Sequence, residues 1–263
     1  MGMALVAILL NYWWRLVVTG FCFLAFSVIG VLFSAIIIPA LNLLPVAAAR
    51  RHAFVKRLIR SLFTLLVNAL RVTGVMRLET SGVERLSNAR EVLVLANHPS
   101  LIDIVVLLSL IPRATCVVKG GLWSSPVFAG MVSAAGYIKN DSTPEQLLED
   151  CERELAAGNA VIIFPEGTRS RPNEPLKFLR GAAHLALKSG RPIVPVLLHC
   201  NPPTMTKGSR WYEIPSEAFR FRVSVRGDLR ADSLADAAQT PVIAARRVTS
   251  ALEGYFSEEL RAL

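Results

Sequence analysis

Hydrophobic and polar positions along this chain fall into two textures. Residues 16–38 (LVVTGFCFLAFSVIGVLFSAIII) carry no charged side chain. As a helix rising about 1.5 Å per residue, this run reaches about 34 Å, enough for a hydrocarbon core of about 30 Å. Tyr12, Trp13, Trp14 and Arg15 stand before it, where interfacial aromatics and a snorkelling cation are expected. The run is too long for the apolar part of a signal peptide, and no basic stretch precedes it. Pro39 and Pro45 are expected to break the helix. From Ala53 to Leu70, Phe54, Leu58, Leu62, Leu65, Leu66 and Leu70 recur at helical spacing, with Lys56, Arg57 and Arg60 toward the opposite face. That pattern predicts a basic amphipathic helix, suited to an anionic membrane surface or to packing on a main domain with a solvated face. Residues 16–49 fit either a span or a re-entrant pair of helices in one leaflet.

From about residue 78 the texture changes. Short apolar runs at Val92–Ala96, Ala114–Val118, Ala160–Phe164 and Ile193–Leu198 predict buried strands. Between them, Leu101–Leu110, Glu145–Ala157 and Gly181–Ser189 predict helices, the last ended by Gly190. Phe219, Phe221, Val223 and Val225 alternate with Arg220, Arg222, Ser224 and Arg226, a half-exposed strand, and Thr240 caps a last helix. This β-α repetition predicts an α/β fold: a mostly parallel sheet flanked by helices, preceded by an N-terminal hydrophobic, membrane-anchoring helical segment. The division falls between residues 1–77, anchor and basic helix, and residues 78–263, the α/β domain.

Charge sharpens that division. The chain has 29 basic and 20 acidic residues, and eight of the basic ones, but no acidic one, precede Glu79. The remainder is nearly neutral, which argues against a nucleic-acid groove on the α/β domain. Positive charge after the apolar run predicts that the rest of the chain lies on the cytoplasmic face of the inner or plasma membrane. Cys22, Cys116, Cys151 and Cys200 are scattered without a CxxC pair, so reduced, buried thiols are expected and a structural metal site is not.

Two polar constellations follow predicted strands. After residues 92–96 come Asn97-His98-Pro99-Ser100-Leu101-Ile102-Asp103. An imidazole at the carboxyl end of a parallel strand, with an aspartate in the first turn of the next helix, sits where open α/β sheets build their sites. An Asp that accepts from one ring nitrogen leaves the other free as a base. A capped strand-to-helix turn explains the same residues without catalysis. After residues 160–164 come Pro165-Glu166-Gly167-Thr168-Arg169-Ser170-Arg171, with Lys177, Arg180 and the helix start at Gly181 beyond. Glycine permits close backbone approach and arginine offers a planar fork to an anion; an ordinary surface loop with solvated arginines is the alternative. No Walker-type glycine-lysine loop and no GxSxG elbow occur.

These residues resemble the glycerophospholipid acyltransferase superfamily, and within it the lysophosphatidate acyltransferase family. NHPSLID is similar to the NHxxxxD signature, FPEGTRS to the third family motif, and Ile193-Val194-Pro195-Val196 to the fourth, over roughly residues 75–215. The resemblance implies acyl transfer from a thioester to the free hydroxyl of a lysophospholipid, foremost 1-acylglycerol-3-phosphate, to give phosphatidate. It implies His98 and Asp103 as the general-base pair. Glu166, Gly167, Thr168 and Arg169 are implied on the acceptor's phosphate and glycerol, and Val194 and Pro195 on the acyl-chain side. Acyl-CoA or acyl carrier protein thioester is the implied cosubstrate, with membrane lipids as partners and no bound cofactor or metal. The second motif departs: in Gly136-Tyr137-Ile138-Lys139-Asn140-Asp141-Ser142, serine stands where relatives have arginine, and Lys139 is the substitute cation. Another lysolipid or specialised lipid acceptor is therefore an alternative substrate. A thioesterase or lipase, with His98 activating water, is the alternative reaction.

Overall fold

The computed structural model describes residues 2–43, 45–141, 143–172, 174–235 and 240–263. In chain order the elements are α1 (Gly2–Leu32), a π-helical turn (Phe33–Ile37), α2 (Ile38–Leu43), α3 (Ala48–Val72), β1 (Met76–Ser81), α4 (Glu84–Ser87), β2 (Leu93–Ala96), α5 (Asp103–Leu110), β3 (Ala114–Val118), α6 (Ala129–Ala134), β4 (Ile138–Lys139), α7 (Pro144–Ala156), β5 (Ala160–Ile163), α8 (Gly181–Ser189), β6 (Ile193–Asn201), β7 (Phe219–Val225) and α9 (Pro241–Arg261). Seven strands form one sheet in the order β1-β7-β6-β2-β5-β3-β4. Every neighbouring pair is parallel except β6 and β7.

The strand sequences fit their places. All four residues of β2 are buried, as a central strand covered on both faces requires. Pro195 lies inside β6, where a missing N–H is normally costly. Its partner strand has an irregularity there: Val196 faces Val225, but Ile193 faces Leu229, so the opposite strand gains one residue between the two pairings. Pro195 sits at that bulge. On one face of the sheet, Leu185, Ala186, Val248, Leu252 and Phe256 from α8 and α9, with Cys151 and Leu155 from α7, cover Leu93, Leu95 and Val161. On the other face, residues of α3, α5 and α6 cover Val94, Ala96 and Ile162.

The N-terminal segment differs from its expected form in three ways. Pro39 does not end the helix. The wider π-helical turn before it accommodates the proline, whose ring would otherwise clash with a carbonyl one turn back. Arg15 is not a snorkelling cation: it is 2% exposed. Its Nε donates to Asn11 Oδ1 at 2.9 Å, Nη1 to the Pro215 carbonyl at 3.3 Å, and Nη2 to the Ser216 carbonyl. In α3 the ridge that enters the core is Val55, Ile59, Phe63, Val67 and Leu70, while Phe54 and Leu65 stay exposed. Lys56 pairs with Glu154 of α7 at 2.6 Å, and Arg60 donates to the Ser109 carbonyl at the end of α5. So α3 packs on the main domain, and two of its three central cations serve that packing. Its core residues share one cluster with the sheet, so the sequence boundary at 77 is a change of texture without a gap in packing.

The helical stretch Leu9–Leu41 is long and apolar enough to cross a membrane, with mean hydropathy 2.7. One stripe of it faces the protein: Arg15, Val18, Thr19, Phe26 and Phe33. Phe26 meets Phe63 and Phe128 at 5.9 and 5.6 Å between ring centroids. Gly30 allows close approach to the main domain, since a Cβ there would lie 2.7 Å from the Val127 side chain. The opposite stripe, Leu10, Trp13, Val17, Phe21, Leu24, Val28 and Val31, is exposed apolar surface. An exposed apolar face of this extent suits a lipid environment, and membrane association of the chain follows.

Candidate active site

The site lies at the carboxyl ends of β2 and β5, neighbours in the sheet. Asn97, the first residue after β2, closes the end of the strand pair. Its Nδ2 donates to the Leu198 carbonyl and its Oδ1 accepts from the Leu198 N–H, both at 2.8 Å. This two-bond clasp reproduces a peptide pairing beyond the last register pair, Ala96 with Val196, and fixes where the chain turns. The next residue, His98, is thereby aimed off the sheet edge.

Asp103, the first residue of α5, is fully buried, and its Oδ2 lies 2.7 Å from His98 Nδ1. The same oxygen accepts from the Ser100 N–H at 2.8 Å. Burial pushes the Asp103 carboxyl up to about 6, against the downward pull of the His98 hydrogen bond and charge and of the Ser100 N–H. With Nδ1 engaged, Nε2 is the nitrogen available to a ligand. The ring is also held face-on by Phe164, whose centroid lies 4.0 Å away at an interplanar angle of 19°.

The loop after β5 meets the loop after β2 through the backbone. Glu166 Oε1 accepts from the His98 N–H at 2.8 Å and from Ser170 Oγ at 3.0 Å, and the Ser170 N–H donates to the His98 carbonyl at 2.7 Å. Burial raises the Glu166 carboxyl above its ordinary range, and these hydrogen bonds oppose the shift. Gly167 adopts φ +67°, and a Cβ there would meet Leu179 Cδ1 at 2.6 Å. Arg169 Nη1 donates to the carbonyls of Met205 and Thr206 at 2.8 and 2.9 Å. The expected phosphate ligands thus divide. Glu166 is engaged with the His98 turn, Arg169 has one nitrogen on the 205–206 backbone, and Gly167 and Thr168 are exposed on the cavity rim.

A cavity of about 720 Å³ opens beside His98. Lys119, Asn140, Thr168, Arg169 and His184 line it together with His98, and Val117, Leu147, Leu148, Ile163 and Leu185 give it apolar walls against α7 and α8. That volume and mix suit a ligand with one polar end and an apolar body. Cys151 is also in the wall, and burial pushes its thiol up to about 12, so it is a neutral wall group. Val194 and Pro195 pair with Val94 and Leu95 inside the sheet and do not line this cavity. Lys139 is not on its wall either, and pairs with Asp141 at 3.0 Å. Ser142 lies outside the described residues. Among the described residues no cluster of three His, Cys, Asp or Glu forms a candidate metal site.

A model of the family described as Acyltransferase matches residues 77–199, the span that carries both loops and the strands beneath them. Over that span, a little under half of the chain, the sequence is similar to acyltransferases. A 1-acyl-sn-glycerol-3-phosphate acyltransferase of Cocos nucifera is 37% identical over 119 residues, covering 43% of this chain and 38% of that protein. The beta form from Homo sapiens is 32% identical over 132 residues, covering 46% of each. The alpha form from Mus musculus is 28% identical over 183 residues, covering 67% of this chain and 63% of that one. The chain thus spans less than half of the length of the first two of these relatives. In fold, it is similar to the crystal structure of the 1-acyl-sn-glycerophosphate acyltransferase PlsC from Thermotoga maritima. That likeness has a TM-score of 0.67 at 20% identity, covering 95% of this chain and 98% of that one.

The observed α/β architecture, shared with that structure, agrees with the mostly parallel sheet expected from the sequence. Phe164 against the imidazole, Glu166 against the His98 backbone and the α7–α8 walls of the cavity are features that motif reading did not separate. Leu147, Leu148 and Cys151 were visible only as one face of the predicted helix 145–157.

Proposed function

We propose that this protein is an O-acyltransferase that moves a fatty acyl group from an acyl thioester to the free hydroxyl of 1-acylglycerol-3-phosphate, giving phosphatidate, at the cytoplasmic face of a membrane. The observation that carries the reading is the His98–Asp103 pair, 2.7 Å apart, at the edge of a cavity with a polar rim and apolar walls. In this reading His98 Nε2 takes the proton from the acceptor hydroxyl as its oxygen attacks the thioester carbonyl. The tetrahedral adduct collapses with cleavage of the carbon–sulfur bond, and the proton on Nε2 passes to the departing thiolate. Asp103 holds the tautomer and stabilises the transient imidazolium. The acceptor hydroxyl is the nucleophile, so no acyl-enzyme is formed, and Cys151, held as a thiol, is no rival. Lys119 and the free nitrogens of Arg169 supply positive charge for the acceptor's phosphate, and the apolar walls take an acyl chain. Acyl-CoA or acyl carrier protein thioester is the cosubstrate, and no bound cofactor or metal takes part.

A second reading, the same chemistry on a lysolipid with another head group, is favoured by one observation: Lys139, the cation at the second stretch, is paired with Asp141. One assay tests both. Full-length protein in detergent is given labelled acyl-CoA or acyl carrier protein thioester and a panel of lysolipids, with His98→Ala beside it. His98-dependent phosphatidate formation is the expected result, and transfer to a different lysolipid alone would install the second reading. Thioester consumption as fast without any acceptor as with one would replace both by a thioesterase.

A further inference from the structure

The segment after β6 returns to the N-terminal helix before it enters β7. Near its start, Ser100 Oγ donates to the Thr204 carbonyl, the Leu101 N–H donates to the Met205 carbonyl, and Arg169 holds the Met205 and Thr206 carbonyls. Near its end, Arg15 of α1 binds the Pro215 and Ser216 carbonyls. Between these ties the chain carries Lys207, Arg210, Trp211 and Tyr212, all exposed. Trp211 is 49% and Tyr212 41% exposed, although both are large aromatics. Trp211 is not loose: its ring lies against Gly20, 3.2 Å from where a Cβ would be, and 6.1 Å from the Phe23 ring. Tyr212 stands edge-on to Trp211, and Arg210 Nη1 donates to the Tyr212 hydroxyl at 2.5 Å.

We propose that the loop Lys207–Tyr212 is a membrane-contacting element, with Trp211 and Tyr212 in the headgroup region of an anionic phospholipid leaflet and Lys207 and Arg210 on its phosphates. Continuity with the apolar helix selects the occupant. The residues of α1 on either side of the Trp211 contact, Val17, Phe21 and Leu24, are 64%, 68% and 64% exposed, so the aromatic pair extends one apolar surface. An amphipathic aromatic pair rimmed by cations has the composition that settles at a membrane interface. Glu213, the nearest acid in the loop, accepts from the Arg210 N–H and closes the turn. The loop is tied at its base to Arg169 and to the His98–Asp103 turn, so its contact with lipid fixes the height of the site above the leaflet. The inference rests on membrane association through α1, and the identity of the acceptor plays no part in it.

Tryptophan quenching tests the placement. Full-length protein is reconstituted in vesicles of phosphatidylcholine and phosphatidylglycerol, with the phosphatidylcholine brominated near the headgroup end of its chains. The fluorescence component lost in Trp211→Phe is expected to be quenched at least about two-fold by the bromolipid and shielded from aqueous iodide. A complementary chain with Trp13, Trp14 and Trp123 replaced by Phe reports Trp211 directly, and the same behaviour is expected. A Trp211 signal open to iodide and untouched by bromolipid overturns the proposal. Acyl transfer is not read in this experiment, so the loop placement and the acceptor chemistry stand or fall separately.

Discussion

The loops after β2 and β5 are neighbours at one sheet edge, and both look equally chemical in sequence. In the structure they do different work. The first, Asn97–Asp103, presents the His98 ring and buries the carboxylate behind it. The second, Phe164–Ser170, spends much of its polarity on the first: Phe164 stacks on the ring and Glu166 and Ser170 hold the His98 backbone from both sides. A motif rich in charged residues can thus be mainly a mount for a single imidazole. If so, substitutions in the two loops separate by kind of effect as well as size.

The largest effect is expected from His98→Ala, a loss on the order of 10²–10⁴-fold in kcat with thermal stability near that of the parent, read by steady-state transfer assays and thermal denaturation. Asp103→Asn comes next, because an amide cannot hold the tautomer in the same way. The parent's kcat/KM is expected to fall as pH drops below about 6, where Asp103 takes up a proton. The folded carboxyl is raised above its ordinary value, so its protonation favours the native state. From this group alone, stability grows as pH falls from about 6 toward the unfolded value of 3.8. Activity lost in that window without a matching loss in melting temperature is the signature to look for, and it should disappear in Asp103→Asn.

Smaller and different in kind is Glu166→Ala, which leaves the His98 N–H without its acceptor and is expected to cost about 1–3 kcal/mol of stability. Glu166→Gln keeps an acceptor oxygen and should recover most of that loss, in denaturant unfolding and in kcat alike. If Glu166→Gln instead raises acceptor KM and leaves stability intact, the carboxylate binds substrate and the contrast between the loops is wrong. The mildest expectation is for Arg169→Lys: acceptor KM rises because a planar fork becomes a point charge, while kcat at saturation changes little.

Much of this was legible in the sequence. The central strands were, because β2, β3 and β5 are short apolar runs ended by turn residues, and the His98–Asp103 pair lies within one strand-to-helix turn. What stayed hidden had partners without a pattern. Arg15 is bound by backbone carbonyls 200 and 201 residues away, and a carbonyl leaves no mark on sequence. Glu166 is held by a backbone N–H for the same reason. In α3, two apolar ridges run side by side, and hydrophobicity alone favours the leucine-rich one, while the Val55–Ile59–Phe63–Val67 ridge fits the sheet. β4 has two residues and β1 (MRLETS) has a largely polar face, so neither gives a clear period.

The inward stripe of α1 has a practical consequence. Val18 and Phe33 belong to the same core as Val55, Ile59 and Phe63, and Arg15 closes the end of that contact. Trimming the chain to residue 45 to make a water-soluble catalytic fragment would strip the cover from α3 and α6 and bare aromatic surface at Phe63 and Phe128. The greasy leader is a structural beam, and the fragment left without it should aggregate.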